Sequence, residues 1–210
     1  MSDALEPVWE PTACGSTRPT PPLPRPRSFA RCAGLAFVAL LLAACGAGAA
    51  PEPPTVPAAA SADVGPIERA SIESRHDGWR TAREGATPNA QVARALASVP
   101  PGAEVVIFLG VWCSDSRREV PRLWKAFDEA GGSLPFAVSH VGVDERKHAP
   151  GGAAEAVGLR YVPTIIVRRG GREVGRIVES APGGVEQALL DLLTGARTGV
   201  VSERTDLGSR

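Results

Sequence analysis

Cys113 is the residue of this chain best placed to do chemistry. It stands in Val111-Trp112-Cys113-Ser114-Asp115-Ser116, directly after the apolar run Val105-Val106-Ile107-Phe108-Leu109. A buried strand that runs into Trp-Cys-x-x-Ser and then a helix is the layout of a thiol redox site. Such a site with two thiols has its second cysteine where this chain has Ser116. The placement argues for thiol chemistry, and the serine argues against a complete dithiol cycle.

One thiol opens a narrow range of reactions. At the first turn of a helix, backbone N–H groups and the helix dipole favour a thiolate, by about 0.3–1 kcal/mol at exposed sites. Ser116 is positioned by sequence to add a hydrogen bond to that thiolate, while the Asp115 carboxylate competes for the same dipole. Thiolate attack on a disulfide gives a mixed disulfide. A serine hydroxyl is too weakly acidic and too poor a nucleophile toward sulfur to resolve it, so release awaits an external thiol. Capture, glutathione-type exchange and partner retention are within reach; efficient reduction by this chain alone is not.

The elements that must hold this site can be read from periodicity. Thr87-Pro88 has the form of an N-cap followed by a first-turn proline, and Val92, Leu96 and Val99 recur at helical spacing until Pro100-Pro101. Residues 103–109 form a β-branched, apolar strand suited to the centre of a sheet. Residues 114–130 place Val120, Leu123, Trp124 and Phe127 on one helical face and stop at Gly131-Gly132. A second buried strand spans 135–143, and a short helix at 153–157 closes at Gly158. Residues 165–167 and 173–178 flank the turn Gly170-Gly171, and Val185, Leu189, Leu192 and Leu193 mark a last amphipathic helix. The order is helix, strand, helix, strand, short helix, strand, strand, helix. It predicts an α/β domain with a mixed central sheet flanked by helices on both faces.

This pattern resembles the thioredoxin-like superfamily, most closely over residues 88–194. The residues that carry the resemblance are Trp112-Cys113 at a strand end, Pro121 eight residues after the cysteine, Val162-Pro163-Thr164 before a strand, and the Gly-Gly hairpin. It implies a thioredoxin-like fold in which Pro163 is cis and lies beside Cys113. It also implies a substrate-binding role for Val162, Pro163 and Thr164, with Val162 offering its backbone to an extended segment. Without the resemblance, Pro163 would read as a proline that merely starts an edge strand, and Trp112 as core packing rather than a site-lining ring. Two departures bear on activity: Ser116 replaces the resolving cysteine, and Ile107 stands where many dithiol thioredoxins bury an acid. The run Trp-Cys-x-Asp-Ser followed by Arg-Arg-Glu-Val-Pro is similar to a subgroup of single-thiol bacterial thioredoxin-family proteins.

The N-terminal part reads as an export signal. Arg25, Arg27 and Arg31 precede an eleven-residue apolar stretch, Gly34 to Ala44, which is followed by Cys45-Gly46. That is short of the roughly 20 residues a spanning helix needs but fits the core of a signal peptide. Leu42-Ala43-Ala44-Cys45 resembles the lipobox of bacterial lipoproteins, which implies a signal peptide over 1–44 and lipidation at Cys45. An ordinary secretory cleavage near the alanines, or a short anchor, are the other readings. The 24 residues before Arg25 are long for a leader, and one account is a start codon placed too early. Residues 45–66, with Pro51-Glu52-Pro53-Pro54-Thr55-Val56-Pro57, are Ala/Pro-rich and expected to be a tether that reaches about 3.1 Å per residue. The folded domain is expected over 67–194, and 195–210 as a polar flexible tail.

Processing changes the cysteine arithmetic. Cys14 and Cys32 would leave with the signal and Cys45 would carry lipid, so Cys113 alone would remain as a thiol. The expected location is the cell envelope, lipid-anchored; Gly46 after the lipid cysteine suits outer-membrane sorting if the host is Gram-negative. The expected partners are extracytoplasmic protein thiols or disulfides, and the lipid bilayer through Cys45. Lys+Arg and Asp+Glu both total 23, so no basic field points to nucleic acid. His76, His140 and His148 have no ligand spacing, and neither metal nor cofactor is expected. Asp144-Glu145-Arg146-Lys147 reads as a solvated loop, Trp79 as packing, and Arg117, Arg118 and Arg122 as a solvated face or a basic rim. Two functions of different class stay open: monothiol exchange through Cys113, or a redox-inactive binding module built on the same groove.

Overall fold

The computed structural model describes residues 62–207. The expected signal segment, Cys45 and the tether up to residue 61 lie outside the described residues. The described part is built on a six-stranded sheet of order β1-β3-β2-β4-β5-β6. Its strands are β1 (Gly65–Pro66), β2 (Ala103–Leu109), β3 (Ala137–Gly142), β4 (Thr164–Arg169), β5 (Arg172–Val178) and β6 (Gly199–Val201). β2 lies at the centre, parallel to β3 and antiparallel to β4. β5 turns back on β4 through Gly170-Gly171, both at positive φ as a tight hairpin requires.

The helices are α1 (Arg69–Arg75), α2 (Asp77–Gly85), α3 (Ala90–Leu96), α4 (Ser114–Glu129), α5 (Ala153–Ala156) and α6 (Val185–Thr194). They flank both faces of the sheet, unevenly. Side chains alternate along β2, so Val105, Ile107 and Leu109 enter the larger core with Leu96, Val120, Leu123, Leu189 and Leu193. Phe108 and Ile166 point the other way, toward Val143, Ala154 and Val162. The mixed sheet with its central strand feeding α4, and the cis Val162–Pro163 bond that opens β4, define a thioredoxin-like fold.

Three expectations change. α3 is capped by Asn89, not Thr87: the Asn89 side chain accepts from the amides of Gln91 and Val92. The end of the expected tether is folded, because β1 pairs with β3 at Gly142 and Val141. Gly142 permits this approach, since a Cβ there would lie 1.9 Å from the Asp63 carbonyl oxygen. Residues 195–207, expected as a flexible tail, instead supply β6 beside β5 and a 3-10 turn at Thr205–Leu207. Ser202 Oγ donates to the Val178 carbonyl and the Glu203 amide to the Ser180 carbonyl, which sew this segment to the sheet edge.

α1 and α2 hold to α4 through few but large contacts. Trp79 is buried against Trp124 with ring centroids 5.6 Å apart, and Arg69 forms a bidentate pair with Asp128. Trp124 Nε1 donates to His140 Nε2 at 2.9 Å. Burial, with a smaller push from the Arg69 guanidinium, lowers the His140 imidazole from its ordinary 6.5 to about 4. Between those pH values the unfolded chain binds a proton that the folded chain refuses. Stability should therefore fall as pH drops from 6.5 toward 4, by at most about 3 kcal/mol. Urea midpoints at pH 7 and pH 5 should show this loss, and His140→Gln, which keeps an acceptor for Trp124, should lack it. An equal acid loss in both proteins would assign the effect elsewhere.

Candidate functional site

β2 ends at Leu109, and the chain turns through Gly110 and Val111 before entering α4. The Cys113 amide donates to the Gly110 carbonyl, closing the turn, and Cys113 becomes the N-cap of α4 with extended backbone. Its side chain is partly exposed, as nucleophilic attack requires. The thiol donates to the Val162 carbonyl at 3.3 Å. The structure therefore brings Cys113, Val162 and cis Pro163 together. Among the described residues nothing accepts from the Val162 amide N–H. β4 is paired on both sides, which removes the reading of Pro163 as the start of an edge strand.

Trp112 lies beside the thiol with 44% of its surface exposed, too much for a packing residue. Its Nε1 donates to the Val143 carbonyl, which fixes the ring across the mouth of the site. Gly110 makes room for it: a Cβ at Gly110 would come within 2.6 Å of the indole. The loop after β3, read as merely solvated, closes through Asp144 and His148 and carries Lys147 to 6.0 Å from the Trp112 ring centroid. That places a cation over the aromatic face. From below, Trp79 Nε1 donates to the Val111 carbonyl at 3.4 Å, so this packing residue also braces the site loop.

Three sequence-assigned roles look different in place. Ser116 is fully buried, and its Oγ accepts from the Gly110 amide at 3.3 Å; it pins the turn rather than reaching the sulfur. Asp115 is engaged by Arg118 at 2.7 Å, one turn along the helix. Thr164 is buried, and its hydroxyl donates to the Tyr161 carbonyl across the cis turn, so it shapes the loop and offers nothing to a partner. Ile107 is buried in the larger core, with His140 and Ile165 as strand neighbours. Arg118 and Arg122 are tied to carboxylates, Asp115 and Glu119 for the first and Glu186 for the second. Gly110 and the Val143 carbonyl were missed by sequence reasoning. A glycine between strand and Trp-Cys was a usable signal for the first; a backbone acceptor leaves none.

No known family's sequence profile matches the chain. Solved structures that resemble it include a Pseudomonas aeruginosa protein of unknown function, at 13% identity over 65% of this chain and 96% of that one, with a TM-score of 0.49. Trxlp from Edwardsiella tarda is 25% identical over 52% of this chain and 96% of its own, with a TM-score of 0.36. Fasciola hepatica thioredoxin is 21% identical over 51% and 93%, with a TM-score of 0.34. Scores of this size carry no argument about activity; the fold rests on strand order, register and the site geometry.

The contact between Gly110 and the indole can be isolated. Gly110→Ala should lower stability by about 1–3 kcal/mol through overpacking. Most of that loss should vanish in a Trp112→Ala background, read by urea unfolding as a double-mutant cycle. An undiminished cost in that background would show that the ring is not what Gly110 accommodates.

Proposed function

We propose that this protein is an extracytoplasmic, membrane-tethered thioredoxin-like protein that captures partners by monothiol exchange through Cys113. The observation that carries the reading is a partly exposed thiol at the head of α4, 3.3 Å from a backbone carbonyl beside a cis proline. A partner segment laid along Val162 would pair with its free amide as an added strand. The Cys113 thiolate then attacks one sulfur of a partner disulfide: the new S–S bond forms, the old one breaks, and the leaving thiolate takes a proton. With Ser116 buried and occupied by Gly110, resolution falls to an external thiol, which attacks the mixed disulfide and returns Cys113 as thiolate.

A second reading is supported by Ser116 and Ile107. An apolar residue and a buried hydroxyl fill the places where a dithiol cycle would have its acid and second thiol, and the groove could bind without covalent chemistry. The two readings separate in cells. Non-reducing gels of alkylated extracts should show reductant-sensitive, high-mass species containing this protein, absent in Cys113→Ala. If the folded protein resists alkylation and Cys113→Ala leaves every interaction intact, the binding-module reading stands instead.

Tethering is proposed on the lipobox-like run ending at Cys45. Acyl chains contribute about 0.8 kcal/mol per buried CH₂, and stable anchoring takes two such signals. On fractionation of a bacterial host the full chain should follow the membranes and Cys45→Ala should not. A soluble wild-type protein whose mature N-terminus is not Cys45 would remove the tether from the reading.

A further inference from the structure

The cis-proline loop that faces the thiol is gripped from the far side by the C-terminal segment. Tyr161, two residues before Pro163, donates its hydroxyl to Asp206 at 3.1 Å, and the Arg204 guanidinium stacks 4.0 Å from its ring centroid. Arg204 reaches Asp206 through two N–H groups and Glu179 through a third, at 2.9 Å. Glu179 in turn donates its amide to the Pro163 carbonyl at 2.8 Å. Its φ is +59°, a left-handed backbone that a residue with a Cβ adopts only where its surroundings hold it. The chain of contacts thus runs from Arg204 to both flanks of the Val162–Pro163 pair. On the remaining side Tyr161 borders a cavity of about 170 Å³, with Thr164, Val178, Val200 and Leu207 among its walls. Arg160, which also lines this cavity, lies 5.6 Å from the same ring centroid.

We infer that residues 202–206 form a strap that positions the Val162–Pro163 loop against Cys113, and that Arg204 is its positioning residue. A strap that only protected the sheet edge would need β6 and the Ser202 contact to β5, not a guanidinium bridging Tyr161, Glu179 and Asp206. Loss of Arg204 frees Tyr161 toward the cavity and leaves the Glu179 carboxylate without the partner that anchors its side chain, so that only the amide hydrogen bond to Pro163 restrains that residue. The backbone of Val162 then loses its fixed distance from the sulfur. Partner capture suffers while the thiol itself stays exposed and reactive. This inference rests on the monothiol reading for its functional consequence, and on the geometry alone for its structural one.

The test compares two reagents on the full chain with Cys14, Cys32 and Cys45 each changed to Ser, so that Cys113 is its one thiol, and on the Arg204→Ala and Tyr161→Phe variants of that chain. Iodoacetamide needs only the thiolate. A short extended peptide carrying one cysteine as a mixed disulfide with thionitrobenzoate needs the groove as well; its attack by Cys113 releases coloured thionitrobenzoate. In Arg204→Ala the peptide reaction should slow about tenfold while the iodoacetamide rate stays within about twofold, since small misplacement of a positioning group costs rate steeply. Tyr161→Phe, which keeps the ring and loses only the bond to Asp206, should fall between. Equal slowing of both reagents, or of neither, overturns the inference. If the wild-type thiol reacts with neither reagent, the monothiol reading fails instead. Amide hydrogen exchange at Glu179 then decides the strap: faster exchange in Arg204→Ala, with β2 amides unchanged, supports it, and unchanged exchange at Glu179 overturns it.

Discussion

The arrangement of helices around the site depends on one buried carboxylate. Glu186, in the first turn of α6, is wholly enclosed and accepts from the Asn89 amide at the head of α3 and from two N–H groups of Arg122 in α4. Burial opposes its ionisation, but Arg122 and the Asn89 amide outweigh that and hold the carboxyl below its usual range. Three helices are thereby fixed to one another through a single side chain, and α4 carries the thiol. Removing Arg122 would leave the enclosed Glu186 carboxylate without its counter-charge, a larger cost than losing a surface pair. Gly184 belongs to the same constraint, because at φ +97° it takes a backbone few residues accept and a Cβ there would sit 2.9 Å from Glu186 Oε2.

The parts of the fold that could be read in advance were those written in apolar periodicity. β2, the β4–β5 hairpin, α4 and α6 each bury a run or stripe of apolar side chains and stood where the pattern put them; β3 stood in place too, but it was expected to be buried and only its Gly142 is. α1 and α2 did not show, because between residues 69 and 85 only Ile72 and Trp79 are buried. Their remaining attachment is ionic, with Arg69 and Arg83 meeting Asp128 and Glu73. Charge of this density reads as a solvated surface until the partner helix is in view. β6 was invisible for another reason: three residues with two valines are too short to carry a period.

At the site, chemistry was easier to read than geometry. The juxtaposition of Cys113 with Val162 and cis Pro163 was expected only from a resemblance, since neither spacing nor periodicity joins residues 49 positions apart. The role of Ser116 did not, since sequence shows which residue replaces the second thiol but not which atom it meets. The Gly110 amide claims its hydroxyl, so the replacement acts as a pin for the turn that presents the sulfur. Asp115 likewise looked like a lone charge at the helix head until Arg118, one turn on, was seen to engage it.

The two rim strands have a consequence for self-association. β3 and β5 would each offer another chain a row of unpaired backbone groups, and β1 and β6 cover part of each row. Among the described residues, the stretches of β3 and β5 without a strand partner, residues 137–139 and 172–174, are three residues long, and the covering strands β1 and β6 are themselves only two and three residues long. Stacked-sheet assembly draws on segments of about six or seven residues of low charge, and Arg172 and Glu173 add charge to one of the two gaps. A second copy of the sheet would thus find little template for edge-to-edge pairing at either rim.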